Sequence, residues 1–300
     1  MLLSSLECCV EEARFLNPIS LKVLRRLVLN SGRSSKSRIW KKVEINGIEI
    51  AYKEAGSGGD IIMIHGIFAS KEIMNPLFDY YKNDYHVISY DLRRYGESGK
   101  TENFTIEDHA HDLKAIIDHF ELKRPVVIGL SMGSFVTLRT AELYPDLLSK
   151  IVLIGVKGRG SISMMQETID RNGGKVEFDL KDVGRAIFSK VYPPNTTPEM
   201  IEKYYKGNRG RHQLTADERK NIYLSLSHYD MMDDIGLVKI PALLLVGEFD
   251  GLNPPSESKK VFNGLKDAQM EIISGAGHII FFEKREEVIG LIDSFLNQSV

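Results

Sequence analysis

Cysteine is nearly missing from this chain: among 300 residues only Cys8 and Cys9 occur, and they are adjacent. Adjacent cysteines would close a tight, strained ring and rarely bridge each other, and no third cysteine offers a partner. A disulfide framework is therefore excluded for the core, and the usage suits a reducing compartment. Long apolar runs are missing too. No stretch approaches the roughly 18 consecutive apolar residues that a membrane-crossing helix needs. The first residues read poorly as a secretory signal, because Met1–Leu6 carries no basic charge and Glu7, Glu11, Glu12 and Arg14 interrupt any apolar segment. The expected location is the cytoplasm. Nor does one sign of charge dominate: 39 Lys and Arg against 41 Asp and Glu leave a formal net charge of −2. No global field draws the chain toward nucleic acid, and no such partner is expected. There is no H-E-x-x-H, no Cys/His ligand cluster and no phosphate-binding glycine loop leading to a lysine. The sequence thus implies no metal and no organic cofactor.

What is present is ordinary globular material, 43% hydrophobic and 27% charged, in a length that suits one large α/β domain with an insertion or two smaller domains. Residues 1–38 stand apart. Ile19, Val23, Leu24, Leu27 and Val28 recur at helical spacing with Lys22, Arg25 and Arg26 between them, which predicts an amphipathic helix with a basic face. Ser31–Arg38 follows as a polar, basic linker. The main domain is expected from residue 39. Trp40–Ile45 and Ile48–Lys53 flank Asn46-Gly47, a pair that tolerates the positive φ angles of a tight hairpin turn. Short apolar runs follow at Ile61–Ile64, Val87–Tyr90, Val126–Ile128, Ile151–Ile154, Ala242–Val246 and Met270–Ile273. They fit strands of a parallel sheet buried on both faces. Helical patterns over Thr105–Phe120, Phe135–Leu143 and Glu286–Leu296 alternate with them. The expected fold class is α/β, with a mostly parallel central sheet and flanking helices. Between residues 158 and 239 the alternation breaks. Ile162–Ile169, Leu180–Val191, Pro198–Tyr205 and Ala216–Ser227 look helical and no buried strand is convincing. The expected division is a core of 39–157 and 240–300 with a helical insertion of 158–239.

One strand leads into Gly129-Leu130-Ser131-Met132-Gly133, a G-x-S-x-G pentapeptide that opens a helix. A serine forced into a sharp strand-to-helix turn crowds the residues two positions either side, and only glycine-sized residues fit there. The turn leaves the hydroxyl above the sheet edge, beside a helix N-terminus that favours negative charge. A lone serine is a weak nucleophile, so a base and an orienting acid are needed. Asp250 follows an apolar strand in Gly247-Glu248-Phe249-Asp250-Gly251, with Glu248 as its rival. His278 follows another in Gly275-Ala276-Gly277-His278. All three candidates fall at the C-terminal ends of expected strands, the edge where open α/β sheets build their sites. The developing oxyanion needs two backbone N–H groups. Met132 should supply one. The loop His65-Gly66-Ile67-Phe68 should supply the other, with Ile67 the expected donor and Phe68 its rival. His65 could tempt as a second base, but a histidine there more often holds the loop in shape.

In this order, His65-Gly66, Asp91–Ser98, the serine elbow, Gly247–Asp250 and Gly277-His278 resemble the α/β-hydrolase superfamily over roughly residues 40–297. The resemblance implies a serine hydrolase of esterase type with Ser131, Asp250 and His278 as catalytic triad, and it makes the insertion a cap over the pocket. One departure stands out. After the fourth strand the family pattern is D-x-R-G-x-G-x-S, and this chain has Arg94 where the first glycine belongs. Either the loop path changes or a side chain projects toward the pocket rim. Asp91 and Arg93 are expected to be structural. Phe68 and Phe281 are the candidate pocket residues, and an uncharged acyl compound of modest size, a carboxylester first, is the expected small-molecule partner. A serine at position 131 argues against the dehalogenases and epoxide hydrolases of this scaffold, which use aspartate there. Carbon–carbon hydrolases, perhydrolases and lyases keep the triad and remain alternatives, as does a slow-turnover ligand receptor.

The basic helix of residues 1–38 has three readings: a surface-packed or loose extension, a contact to membrane or partner, or no function. Weak membrane or protein contact predicts that deleting residues 1–38 lowers binding to anionic vesicles or lowers solubility. Unchanged solubility, vesicle binding and activity would remove the contact reading.

Overall fold

A computed structural model describes residues 41–101, 104–160, 190–205, 222, 225–226 and 228–298. The amphipathic segment of 1–38, and Ile162–Ile169 and most of the other helical patterns of the insertion, lie outside them. The described core is an eight-stranded sheet: β1 (Lys41–Ile45), β2 (Ile48–Ala55), β3 (Asp60–Ile64), β4 (His86–Tyr90), β5 (Val126–Leu130), β6 (Lys150–Ile154), β7 (Ala242–Gly247) and β8 (Ala268–Ile273). Their spatial order is β1-β2-β4-β3-β5-β6-β7-β8. The first hairpin is antiparallel, and β2 joins β4 antiparallel. From β4 onward every pairing is parallel. The hairpin turn behaves as its sequence predicts, with Asn46 at φ 50° and Gly47 at φ 77°, the positive pair of a type I′ turn.

Parallel strands need crossovers, and helices supply them. Those between neighbouring strands in the chain are α1 (Asn75–Tyr81), α2 (Ile106–His119), α3 (Met132–Leu143) and α5 (Pro255–Gly264); α4 (Pro198–Tyr205) falls within the insertion, and α6 (Ile280–Glu283) and α7 (Arg285–Leu296) follow β8. The N-terminus of α2 is fixed by a capping box: Thr105 Oγ1 accepts from Asp108 N (3.1 Å), and Thr105 N donates back to the Asp108 carboxylate (2.7 Å). Helices α2 and α3 pack together beside β5 and β6, whereas α1, α6 and α7 pack on one another. The core between them takes Ile62, Ile64, Val127, Leu153 and Leu244 from the central strands. Strands β3, β5, β6 and β7 are almost continuously buried, as runs covered on both faces should be. Strand β8 departs from that expectation. It ends the sheet, and Glu271 and Ile272 are exposed there; an edge strand has a neighbour on one side only. The helices α1, α5 and α6 lack long periodic patterns and were not expected from the sequence.

At the insertion, both ends are tied by backbone. Met231 N donates to Gly158 O (2.8 Å), and Gly160 N donates to Tyr229 O (2.7 Å). An Arg159–Asp230 ion pair at 2.9 Å reinforces this bridge. The segment Asn195–Gly207 falls in a separate compact unit; its helix α4 begins where expected, with the Thr197 hydroxyl accepting from Met200 N (3.3 Å).

One cation closes the far end of the sheet. The buried Lys150 ammonium donates to the carbonyls of Phe295 (2.9 Å), Leu296 (2.9 Å) and Gln298 (2.6 Å). Phe295 and Leu296 end α7 and Gln298 lies just beyond it, and a positive charge there complements the helix dipole. Burial lowers the Lys150 pKa from its usual value. Substituting Lys150→Met should cost about 1.5–3 kcal/mol, the range for hydrogen bonds to a charged group. Urea denaturation of the two proteins would read it.

Candidate active site

The site grows out of the C-terminal edge of the sheet. Ser131 directly follows β5 and holds φ 51° and ψ −116°, a conformation that a non-glycine residue keeps only under constraint. The constraint is close packing. A Cβ at Gly129 would lie 2.4 Å from Gly133 O, and one at Gly133 would lie 2.4 Å from Ile64 O. Both contacts are with backbone that cannot swing aside, so glycine is required at each. The Ser131 amide donates to Ile154 O at the end of β6 (2.7 Å), and its carbonyl accepts from Ser134 N (2.8 Å) and Ser134 Oγ (2.5 Å). The elbow is thereby tied to the neighbouring strand on one side and to the start of α3 on the other.

Asp250 and His278 meet as a buried pair. His278 Nδ1 lies 2.7 Å from Asp250 Oδ2. The other carboxylate oxygen accepts from Leu252 N (2.9 Å) and Asn253 N (2.8 Å). The carboxylate is therefore fixed in plane, and the imidazole presents Nε2 away from it. His278 N donates to Val191 O (2.7 Å), which holds the loop. Glu248, the rival acid, is directed elsewhere. Its carboxylate accepts from Ser274 Oγ and Gly275 N, both at 2.9 Å, and the backbone bond draws its pKa below the ordinary value.

Sequence reasoning missed Gly155. It follows β6 directly, has φ +60°, and a Cβ there would lie 3.2 Å from both Asp250 Oδ2 and His278 Cε1. The signal was a glycine at the end of a central strand with no turn partner, as in the elbow. Since Ser131 bonds to Ile154 and the acid–base pair packs on Gly155, the elbow and the pair flank two consecutive residues.

The loop after β3 closes on the same point. A Cβ on Gly66 would lie 3.2 Å from Ser131 Cβ, so the loop sits directly against the serine. Ile67 and Phe68 are half-buried, and Phe68 takes φ 57°. The Met132 amide opens α3 and has no intrahelical acceptor. The Met132 sulfur receives the Tyr95 hydroxyl at 3.3 Å. His65 holds the loop. Leu92 N, an obligate donor, points at Nε2 (3.1 Å), so the proton sits on Nδ1 and is donated to Gly66 O (2.8 Å). Burial pushes the His65 pKa down, which keeps the ring neutral. Both nitrogens are engaged, and His65 is not a spare base. Phe281 lies in α6 beside the His278 loop and is fully buried. Tyr229 stacks on Phe135 with ring centroids 4.9 Å apart, a core contact, and His228 is exposed.

Asp91 and Arg93 are structural. Asp91 is fully buried and accepts from Lys71 N (2.7 Å), Lys71 Nζ (2.6 Å) and Glu97 N (2.9 Å). Arg93 makes a two-pronged bond to Asp112 at 2.6 Å on each arm. Arg94 keeps the left-handed conformation of the glycine it replaces, with φ 70°. Its side chain turns to the carbonyl of Thr101. Among the described residues, no group of three or more His, Cys, Asp or Glu side chains is arranged to hold a metal ion.

Packing at the elbow makes a direct prediction. Gly133→Ala must displace the backbone of β3, and should lower stability by about 2 kcal/mol or more, in the range of overpacked cores. A melting curve no lower than that of the parent protein would contradict it.

A family model described as the alpha/beta hydrolase fold matches residues 61–285. Over 90% of its length the chain is 26% identical to a 2-hydroxy-6-oxo-6-phenylhexa-2,4-dienoate hydrolase from Comamonas testosteroni, covering 99% of that protein. It is 24% identical over 85% of its length to a proline iminopeptidase from Pestalotiopsis fici, covering 99% of it. Among solved structures, it is similar to a thermophilic esterase from Thermogutta terrifontis, with 26% identity, 85% of this chain and 98% of that chain covered, and a TM-score of 0.72. With the sheet order, the elbow and a match across most of its length, the chain belongs to the α/β-hydrolase family.

Proposed function

We propose that this protein is a serine hydrolase that cleaves a small or medium acyl compound, a carboxylester first, through an acyl-serine intermediate. The observation that carries the reading is the buried 2.7 Å contact between His278 Nδ1 and Asp250 Oδ2, on the same strand end that anchors the Ser131 elbow. In this reading Ser131 Oγ attacks the acyl carbonyl carbon while His278 Nε2 takes its proton. Asp250 keeps the other ring proton on Nδ1 and stabilises the imidazolium. The N–H groups of Met132 and Ile67 receive the oxyanion. Collapse of the tetrahedral species breaks the bond to the leaving alcohol, which departs with the proton from His278. Water, deprotonated by His278, then releases the acid and restores Ser131. Phe68 and Phe281 are the proposed apolar contacts of the acyl group.

A second reading has a specific support. The relative from Comamonas testosteroni is named for a dienoate substrate, and the same three residues could serve carbon–carbon cleavage.

The test is hydrolysis of p-nitrophenyl esters, from acetate to longer acyl chains, by the parent protein and by Ser131→Ala. The parent should turn over, with an optimum that sizes the pocket, and the substitution should lower kcat by about a thousandfold or more. A folded parent that hydrolyses none of these esters would remove the carboxylester reading in favour of the carbon–carbon one.

A further inference from the structure

A second carboxyl group stands behind the His278 loop. Glu283 ends α6, and its Oε2 accepts from Gly277 N, the amide preceding His278, at 2.5 Å. Its Oε1 is buried with no hydrogen-bond partner. A buried oxygen without a donor is costly for an ionised carboxylate, a cost that clamping Gly277 through the other oxygen does not explain. The loop is clamped without it as well. His278 N is bound to Val191 O, and Gly277 is packed so tightly that a Cβ there would lie 2.3 Å from that same carbonyl.

We propose that Glu283 is a positioning residue for the acid–base pair, acting through its charge: when ionised, it stabilises the imidazolium that His278 becomes during each proton transfer. The inference rests on the serine-hydrolase reading above. Asp250 serves the imidazolium through a direct bond, and Glu283 serves it through space from the loop side. The charged groups felt at the Glu283 carboxyl are His278, Asp250 and Lys284. Several charged groups on the packed helices are engaged elsewhere. Arg285 donates to Pro76 O (3.0 Å), Asp79 pairs with Lys82 (2.6 Å), and Asp293 accepts from the hydroxyls of Tyr80 (2.7 Å) and Tyr81 (2.9 Å).

Burial pushes the Glu283 pKa up to about 7, with the Gly277 bond and the His278 charge opposing and the Asp250 charge adding. The sign of the effect follows. Below that pH Glu283 is neutral, as glutamine is; above it, only glutamate carries the charge.

The test compares the parent protein with Glu283→Gln, which keeps the shape and an oxygen for Gly277 N. Below about pH 6 the two should have equal kcat, and above about pH 8 the variant should be slower by roughly three- to tenfold with KM unchanged, as expected for lost charge stabilisation of the transition state alone. Glu283→Asp, which keeps a carboxylate, should stay nearer the parent than Glu283→Gln above pH 8. Because burial disfavours the ionised form, the melting temperature of Glu283→Gln at pH 8 should be no lower than the parent's. A kcat ratio that is flat across this range, or a change in KM alone, would overturn the proposal. If Glu283→Gln does not fold, Glu283→Asp against Glu283→Ala gives the same contrast. A parent protein without Ser131-dependent turnover would instead mark failure of the serine-hydrolase reading, and this proposal with it.

Discussion

Ser131 keeps its left-handed backbone because the atoms around it leave no alternative. The strand before it is paired on both sides, the helix after it is buried, and the glycines at 129 and 133 let the two approach to distances that a side chain would forbid. Each non-glycine residue in this region of φ carries a cost of order 1–3 kcal/mol, which the surrounding structure must offset. That offset is drawn from the core: β3, β5 and β6 are buried along almost their whole length, so the elbow cannot relax without opening the sheet. The His65–Phe68 loop, Gly155 and the acid–base pair are then placed relative to a point that does not move.

The same logic explains the buried polar network beneath the loop. Asp91 gathers the backbone and ammonium of Lys71 and the amide of Glu97, and the Ser98 hydroxyl donates to Asp91 O (2.7 Å). Lys71 also stands 3.4 Å from Glu72, which accepts from Ser70 Oγ (2.6 Å). Buried charges are tolerable only when paired and hydrogen-bonded, and here the pairing links the segment after β3 to the segment after β4. His65 completes the link by joining Gly66 to Leu92. Arg94 fits this view. A glycine there would adopt φ 70° freely; the arginine adopts it because Arg94 N is bound to Gly99 O (2.8 Å) and its guanidinium to Thr101 O, so the tight loop is kept although the residue changed.

Features legible in the sequence were those with a strict local rule. The Asn46-Gly47 turn, the buried strands, the elbow and the placement of Asp250 and His278 after strands all follow from spacing and steric need. Helices α1, α5 and α6 were not legible, since short segments carry too few turns for a period to emerge. The exposure of β8 was legible only in part: Gln269 and Glu271 interrupt its apolar residues, but the exposed Ile272 follows from topology, which makes the strand an edge. Gly155 and Glu283 were hidden for a different reason. Gly155 acts on positions 250 and 278, far away in the chain, so its strand-end placement alone did not reveal its partners, and Glu283, though only six residues from Gly277, carries no spacing rule that ties it to that amide.

Charge placement around the imidazole is the step that neither motif nor fold dictates. A single carboxylate on Nδ1 fixes the tautomer, and its bond to the ring is strongest when the ring is charged. Its geometry is set in the resting state, where Asp250 is already held by the amides of Leu252 and Asn253. A second source of stabilisation is a charge that makes no bond to the ring and so leaves its orientation alone. Glu283 meets that requirement. It lies across the Gly277 amide, it is burdened by its own burial, and its ionisation is favoured by positive charge on His278. By reciprocity the carboxylate must favour the imidazolium to the same extent. A residue whose charge is held at a cost in the resting protein, and relieved when the histidine is protonated, lowers the energy difference between those two states. That difference is the one a proton-transfer step has to cross.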